Sequence, residues 1–551
     1  MNGFNGFDGH LNIQNLVSNM KSFFSFILCL SVSLPLAFSQ EEIYDGQSCT
    51  SIMAGKRATA DGSVITSHTC DGRYRTWVSV EPAADHPEGA MQPIYKGTAH
   101  TVSRDDTTGV RLAGEIPQVR HTFAYLNTAY PSMNEKQLAI GETTFGGPDT
   151  LRNPEGMFLI EELQRVALQR CSTARDAVVL IGSLVDRYGY GDGGECITIA
   201  DKNEVWQMEI IGAGRHVTGG VWVARRVPDN HVAVSANIPR IGRLYRDRTA
   251  DFLCSDNVES VAREHGLWDG EGEFIFWKAY APDYANGRNF REREYFIFNA
   301  LAPSQHFTFD MDELPFSVQP DSAVSVGQVI DLFRSTYEGS DMDMCRNIRM
   351  PVRRKAADGS TYTDTAVSPL ANPWMTTAMQ NTLNQLCPST VEFRRTVSVA
   401  WCSYSWVAQL RGRMPDAVGG VCWFSVDNPG QSPRIPIFAG TTRLPEAFGR
   451  CGQKRYDPES VLWQYRKANK LATVQWQRAK GEFNDTLSRC RQTAEAGLRQ
   501  LENTVQLYYT QGMISEGLRL IDNYTDAVYR DTRKAWEALE ARYWHLFGMG
   551  F

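Results

Sequence analysis

No two of the 12 cysteines in this chain of 551 residues lie in a C-x-x-C pair, which sets aside the zinc ribbon and the thioredoxin-like dithiol. The sequence also lacks H-E-x-x-H, a P-loop and G-x-S-x-G. With them go the signatures of a helix-borne zinc peptidase, a phosphate cradle and a nucleophile-elbow serine hydrolase. Positive charge is in deficit: 56 Lys and Arg against 63 Asp and Glu leave a formal net charge of -7, and no basic cluster is interleaved with stacking aromatics. A nucleic-acid partner is therefore not expected. The glycine cluster "GYGDGGE" at 189–195 imitates a dinucleotide loop but follows a helical pattern and precedes a strand, the reverse of what a pyrophosphate site needs. It reads as a helix C-cap and loop. Asp341 and Asp343 offer two carboxylates in a loop, which are ordinarily only solvated, and no metal or other cofactor is assigned.

What is present is an average globular composition, 42% hydrophobic and 22% charged, enough to bury a large core in one catalytic unit with additions. Near the start, Met20-Lys21 and the apolar run "SFFSFILCLSVSLPLAFS" read as a signal peptide over 20–39, with an Ala37-x-Ser39 cleavage site before Gln40. Residues 1–19 carry no such pattern and read as lying upstream of the true start. The expectation is an exported protein, periplasmic or secreted, with no stable membrane insertion after signal cleavage. In that compartment some cysteines are free to pair, in combinations the sequence leaves open.

Downstream, "CTSIMAGKRATADGSVITSHTCDG" from Cys49 reads as two strands around Asp61-Gly62, a dipeptide suited to a tight turn. Further strands are expected at "TFAYLNTAY", "QLAIGETTF", "ECITIAD", "EVWQMEII", "GVWVARRV" and "HVAVSAN", and later at "TVSVAWCSYSWVAQL" and "GGVCWFSVDNP". Between them, "NPEGMFLIEELQRVALQRC" and "TARDAVVLIGSLVDRYG" have helical spacing, the second with Thr173 as N-cap. Strands, two helices and strands again indicate an α+β class with sheets flanked by helices. Asp457-Pro458-Glu459 reads as the cap of a helical region over 456–551, two or three amphipathic helices, after a catalytic region over 49–455.

Cys49 raises a chemical question. An internal cysteine with an ordinary pKa near 8.5 needs a base, whereas an N-terminal cysteine carries one in its own α-amine, pKa about 7.7–8.0. Cutting the Ser48–Cys49 bond would unite thiol and base in one residue and make the acidic "QEEIYDGQS" at 40–48 a propeptide.

The block from Cys49, together with "SMNEKQLAIGETTFGG", the long block from Thr173 to Val217, "VAVSANIPRIG" and "CSYSWVAQLRGRMPDAVGGVCWFSVDNP", resembles the C69 family of dipeptidases, in order, over about residues 49–450. The resemblance implies a four-layer αββα sandwich of the N-terminal nucleophile hydrolase type, with a C-terminal helical extension. It implies Cys49 as nucleophile, Asp71 as the carboxylate that orients its amine, Asn237 as an oxyanion donor and Thr144 as a second polar donor. Where many relatives have arginine, "SHTCD" places His68, which supports a thiolate only when protonated, so a steeper alkaline fall in activity is expected. Arg73, Arg75 and Arg240 lie near motif blocks and are candidates for the substrate carboxylate. The expected partner is a dipeptide or small amide, and a homo-oligomer stays open. Two alternatives remain: an amidase for N-acyl amino acids, bile-salt conjugates or β-lactams, and a non-catalytic secernin-like binding protein.

Overall fold

Two antiparallel sheets lie face to face, and the strand that begins after Cys49 is inside one of them. The structure, a computed structural model, describes residues 48–283 and 287–549, without the side chains of residues 288 and 289. The signal peptide read at 20–39, the segment before it and residues 40–47 of the propeptide lie outside the described residues. One sheet has six strands in the order Val232–Ser235, Ser51–Ala54, Val64–Asp71, Cys402–Leu410, Gly420–Val426 and Ile435–Phe438. The other has eight: Phe252–Cys254, Gly220–Arg226, Val205–Gly212, Gly194–Ala200, Ala139–Phe145, Met133–Asn134, Tyr125–Asn127 and Ser79–Glu81. The strands expected from alternation are all here, each overlapping the segment that predicts it.

Strand Val64–Asp71 packs against Ala139–Phe145, Gly194–Ala200 and Val205–Gly212 of the facing sheet. All eight of its residues are buried although five are polar, so each polar group needs a partner. Thr66 meets the Thr198 hydroxyl at 2.8 Å, and Ser67 both accepts from the Ile52 N–H and donates to the Ile52 carbonyl, at 2.8 Å each. Gly141 is the point of closest approach: a Cβ there would stand 3.0 Å from the Ser67 carbonyl oxygen and 2.9 Å from the Thr198 hydroxyl. The hairpin differs from the tight turn expected. Its strands end at Ala54 and resume at Val64, so residues 55–63 form a longer loop, in which Asp61 accepts from the Ser63 N–H and hydroxyl and Gly62 takes φ 75°.

Helices Ile160–Arg170 and Ala174–Tyr188 flank the eight-stranded sheet, and Thr173 caps the second by accepting from the Asp176 N–H at 3.1 Å. Helices Val326–Phe333, Val461–Val474 and Ile514–Phe547 contact the six-stranded sheet, completing the αββα order. Ser460, not Asp457, caps Val461–Val474, because Asp457 turns its carboxylate onto the Glu459 N–H at 3.0 Å. The described residues form one compact unit, so helices Val461–Val474, Trp476–Thr510 and Ile514–Phe547 belong to the same body as the sheets. No disulfide joins the described cysteines.

Trp536 anchors that helical layer. It is fully buried, donates to Asn469 at 2.8 Å and meets the rings of Tyr465 and Phe483 edge-on. Trp536→Ala is expected to cost about 3–5 kcal/mol of stability, read as a lower midpoint in chemical denaturation.

Candidate active site

Cys49 stands at the head of strand Ser51–Ala54 with 1% of its surface exposed. Its sulfur faces a carboxyl oxygen of Glu142, 3.7 Å away, on strand Ala139–Phe145 of the opposite sheet. Burial, then the negative charges of Glu142 and Asp71 and the Cys70 thiol, push the Cys49 thiol well above its ordinary pKa, so it is a neutral thiol while residue 48 is attached. Glu142 lies against the carboxyl of Glu195, and burial pushes both upward. Two buried carboxyls in contact oppose each other's ionisation, which disfavours a double negative charge on the pair. The Thr144 hydroxyl donates to Glu195 at 2.9 Å and fixes the outer member.

On the N-terminal side of Cys49 the carbonyl oxygen of Ser48 accepts from the guanidinium of Arg395. The same guanidinium donates to the Ser48 hydroxyl at 3.0 Å and to Asp71 Oδ2 at 2.6 Å. Thr69 also donates to Asp71 Oδ2, at 3.1 Å, whereas Asp71 Oδ1 is buried without a hydrogen bond. A second guanidinium, Arg293, holds the carbonyl of Cys49 itself, the Thr50 hydroxyl at 2.9 Å, the Ala236 carbonyl at 2.7 Å and Asn237 Oδ1 at 2.8 Å. Burial and the nearby Arg395 push Arg293 downward, yet it stays charged at neutral pH. Both peptide groups flanking the Cys49 nitrogen are thus gripped by buried cations.

The residues expected at the site divide. Cys49, Asp71, Asn237, His68 and Thr144 converge here; of the three arginines assigned to substrate, two are engaged with other groups. Arg75 is buried and spends its donors on Asn127 and the carbonyls of Trp77 and Thr128. Arg240 forms a buried ion pair with Glu294. Arg73 is exposed on the segment after Asp71. Asn237 takes φ 63° and donates its amide to the Thr144 carbonyl at 2.5 Å, while Arg293 holds its oxygen. His68 requires a correction. It is fully buried, burial lowers its pKa to about 4, and its Nδ1 donates to the Glu142 carbonyl at 2.8 Å. It is neutral at working pH, so no imidazolium supports a thiolate and the steeper alkaline fall is not expected.

The family model of peptidase family C69 matches residues 48–488, most of the chain. The chain belongs to peptidase family C69. This C69 peptidase is 24% identical over 421 residues to a protein of Latilactobacillus sakei described as "Probable dipeptidase", covering 74% of this chain and 77% of that one. It is 24% identical over 468 residues to "Probable dipeptidase B" of Streptococcus pyogenes serotype M1, covering 80% and 82%. It is 23% identical over 483 residues to "Probable dipeptidase" of Salmonella dublin, covering 86% and 94%. The C69 peptidase is accordingly a hydrolase of peptide bonds.

Four site residues escape the sequence reading: Arg293, Arg395, Glu142 and Glu195. Arg293 sits in "RERE" on helix Arg288–Leu301, a charge run that ordinarily marks a solvated face, and Arg395 in "FRRTVS" ahead of a strand. Glu142 had a usable signal, being the one carboxylate in the strand "AIGETTF".

Proposed function

We propose that this protein is an exported cysteine-type dipeptidase that cuts its own Ser48–Cys49 bond and then hydrolyses dipeptides with a free amino terminus through a thioester on Cys49. The observation that carries this reading is the buried Glu142–Glu195 pair against the Cys49 sulfur. In a dipeptide the α-ammonium lies two bonds from the carbonyl carbon that sulfur attacks, within reach of a carboxylate placed there. An N-acyl amino acid or bile-salt conjugate brings no cation and leaves the pair without its partner, the kind of mismatch that buried polar sites reject strongly.

In the uncut chain Glu142 takes the thiol hydrogen and the sulfur attacks the Ser48 carbonyl carbon. Arg395 donates to the carbonyl oxygen as it gains charge. The S–C bond forms, the C–N bond to Cys49 breaks, the Cys49 nitrogen takes the proton, and water resolves the thioester. The freed amine then serves as base and acid in each turnover: it takes the thiol proton, returns it to the leaving amine, and water again clears the acyl group. That Asp71 Oδ1 is buried without a hydrogen bond supports its role as acceptor for that amine. Export is supported by the signal-like segment over 20–39.

Matched dipeptides and N-acetyl dipeptides test the substrate assignment: amino acids are expected from the free forms only, and comparable kcat/KM on acetylated substrates would overturn it. Glu142→Gln, measured on the fraction whose intact mass begins at Cys49, is expected to lower kcat/KM on free dipeptides about 10- to 100-fold. That is the loss of one charge-assisted hydrogen bond of about 1.5–3 kcal/mol.

A further inference from the structure

We infer that Cys49, His68 and Glu142 form a binding site for a thiophilic divalent cation, Zn2+ foremost, and that the bound ion silences the enzyme by occupying its nucleophile. The three ligand atoms, Cys49 Sγ, His68 Nε2 and a Glu142 carboxyl oxygen, all lie within 4.8 Å of one another. The two edges of this triangle that meet at Glu142 are equal: sulfur to carboxyl oxygen 3.7 Å and imidazole Nε2 to carboxyl oxygen 3.7 Å. Around a tetrahedral zinc with bonds of about 2.3 Å to sulfur and about 2.0–2.2 Å to nitrogen and oxygen, neighbouring ligand atoms sit about 3.3–3.6 Å apart. On these two edges, contraction by a few tenths of an ångström reaches the tetrahedral spacing.

The tautomer of His68 is the independent observation. Its Nδ1 faces the backbone carbonyl of Glu142 at 2.8 Å, and a carbonyl only accepts, so Nδ1 carries the hydrogen. Nε2 is left with its lone pair, and it is buried without a hydrogen bond, aimed at the Glu142 carboxyl. This is the arrangement in which a histidine ligates metal, with the distal nitrogen anchored and the ring oriented by a carbonyl. The rings of Tyr130, Tyr404 and Trp406, with centroids 5.9–6.0 Å from that of His68, restrain its orientation further. Sulfur, imidazole and one carboxylate make a donor set that suits Zn2+ and disfavours Mg2+ or Ca2+, which prefer all-oxygen shells. Binding displaces the thiol hydrogen to solvent as a proton, and water fills the fourth position. The ion covers the sulfur and the carboxylate together, so it competes with the dipeptide.

Co2+ is the spectroscopic probe, added to the full-length purified protein at whichever N-terminus it carries. One equivalent is expected to give the visible bands of a four-coordinate site with a thiolate-to-cobalt charge-transfer band, both erased by one equivalent of Zn2+. Zn2+ is expected to protect Cys49 from alkylation, with the site identified by peptide mass. It should also inhibit dipeptide hydrolysis competitively and reversibly by chelator. His68→Ala should weaken Zn2+ binding by at least about 100-fold. Because that buried position tolerates change poorly, the near-isosteric Glu142→Gln serves as second variant, with an expected weakening of at least about 10-fold. A cobalt complex without thiolate charge transfer would overturn the site. So would Zn2+ affinity unchanged in Glu142→Gln, or alkylation of Cys49 indifferent to Zn2+.

Discussion

Cys49→Ala is expected to give a folded chain that retains the residues before position 49 and hydrolyses no dipeptide. Both losses follow from one atom, because in the proposed mechanism the same sulfur attacks the Ser48 carbonyl in the uncut chain and the substrate carbonyl in the cut one. Removing a nucleophile that works as a unit with its base lowers kcat on the order of 10⁶-fold. The fold should survive, since the change deletes a small buried thiol and leaves the carbonyl of residue 49 in the grip of Arg293. Intact-mass analysis reads the processing and a dipeptide assay reads the turnover. Cys49→Ser should retain slow processing. Normal turnover in the alanine variant would place the nucleophile elsewhere.

Arg395→Ala is expected to slow maturation on the order of 10²–10³-fold, the size of effect seen when one oxyanion donor is removed. Its guanidinium touches the carbonyl oxygen of Ser48, at the bond proposed to be cut, and Asp71 holds it there. Lysine at this position should recover only part of the rate, because an ammonium cannot serve Ser48 and Asp71 in the same forked geometry. The variant also leaves Asp71 buried beside an unfilled cationic site, a loss of about 3–5 kcal/mol when one partner of a buried pair is removed. The two effects separate experimentally: the interval over which mass shifts to the Cys49 species reports processing, and the thermal midpoint reports stability. A lowered midpoint with an unchanged processing rate would confine Arg395 to a structural role.

The layers of the fold were legible because alternation and turn residues bound the strands locally: "ECITIAD" and "EVWQMEII" became Gly194–Ala200 and Val205–Gly212 without help from distant contacts. The nucleophile and Asp71 came from a family pattern confined to the first hairpin. The guanidiniums were invisible for the opposite reason. Arg293 is 244 residues from Cys49 in sequence, and its burial follows from where a distant helix lands rather than from its neighbours. The arginines chosen instead, Arg75 and Arg240, lie next to the motifs but are consumed by carbonyls and by Glu294. His68 was read by its residue type, whereas burial between two sheets decides its charge.

Three consecutive side chains of helix Arg288–Leu301 tie down three different neighbours: Glu292 takes Arg394 and the Arg395 N–H, Arg293 takes the Cys49 carbonyl, and Glu294 takes Arg240. Successive residues on an α-helix point about 100° apart, so the three directions are locked together by the helix's own pitch. One residue inserted or deleted inside this helix ahead of Glu292 would rotate all three ties off their targets in a single step. The phase of this helix therefore admits no intermediate setting.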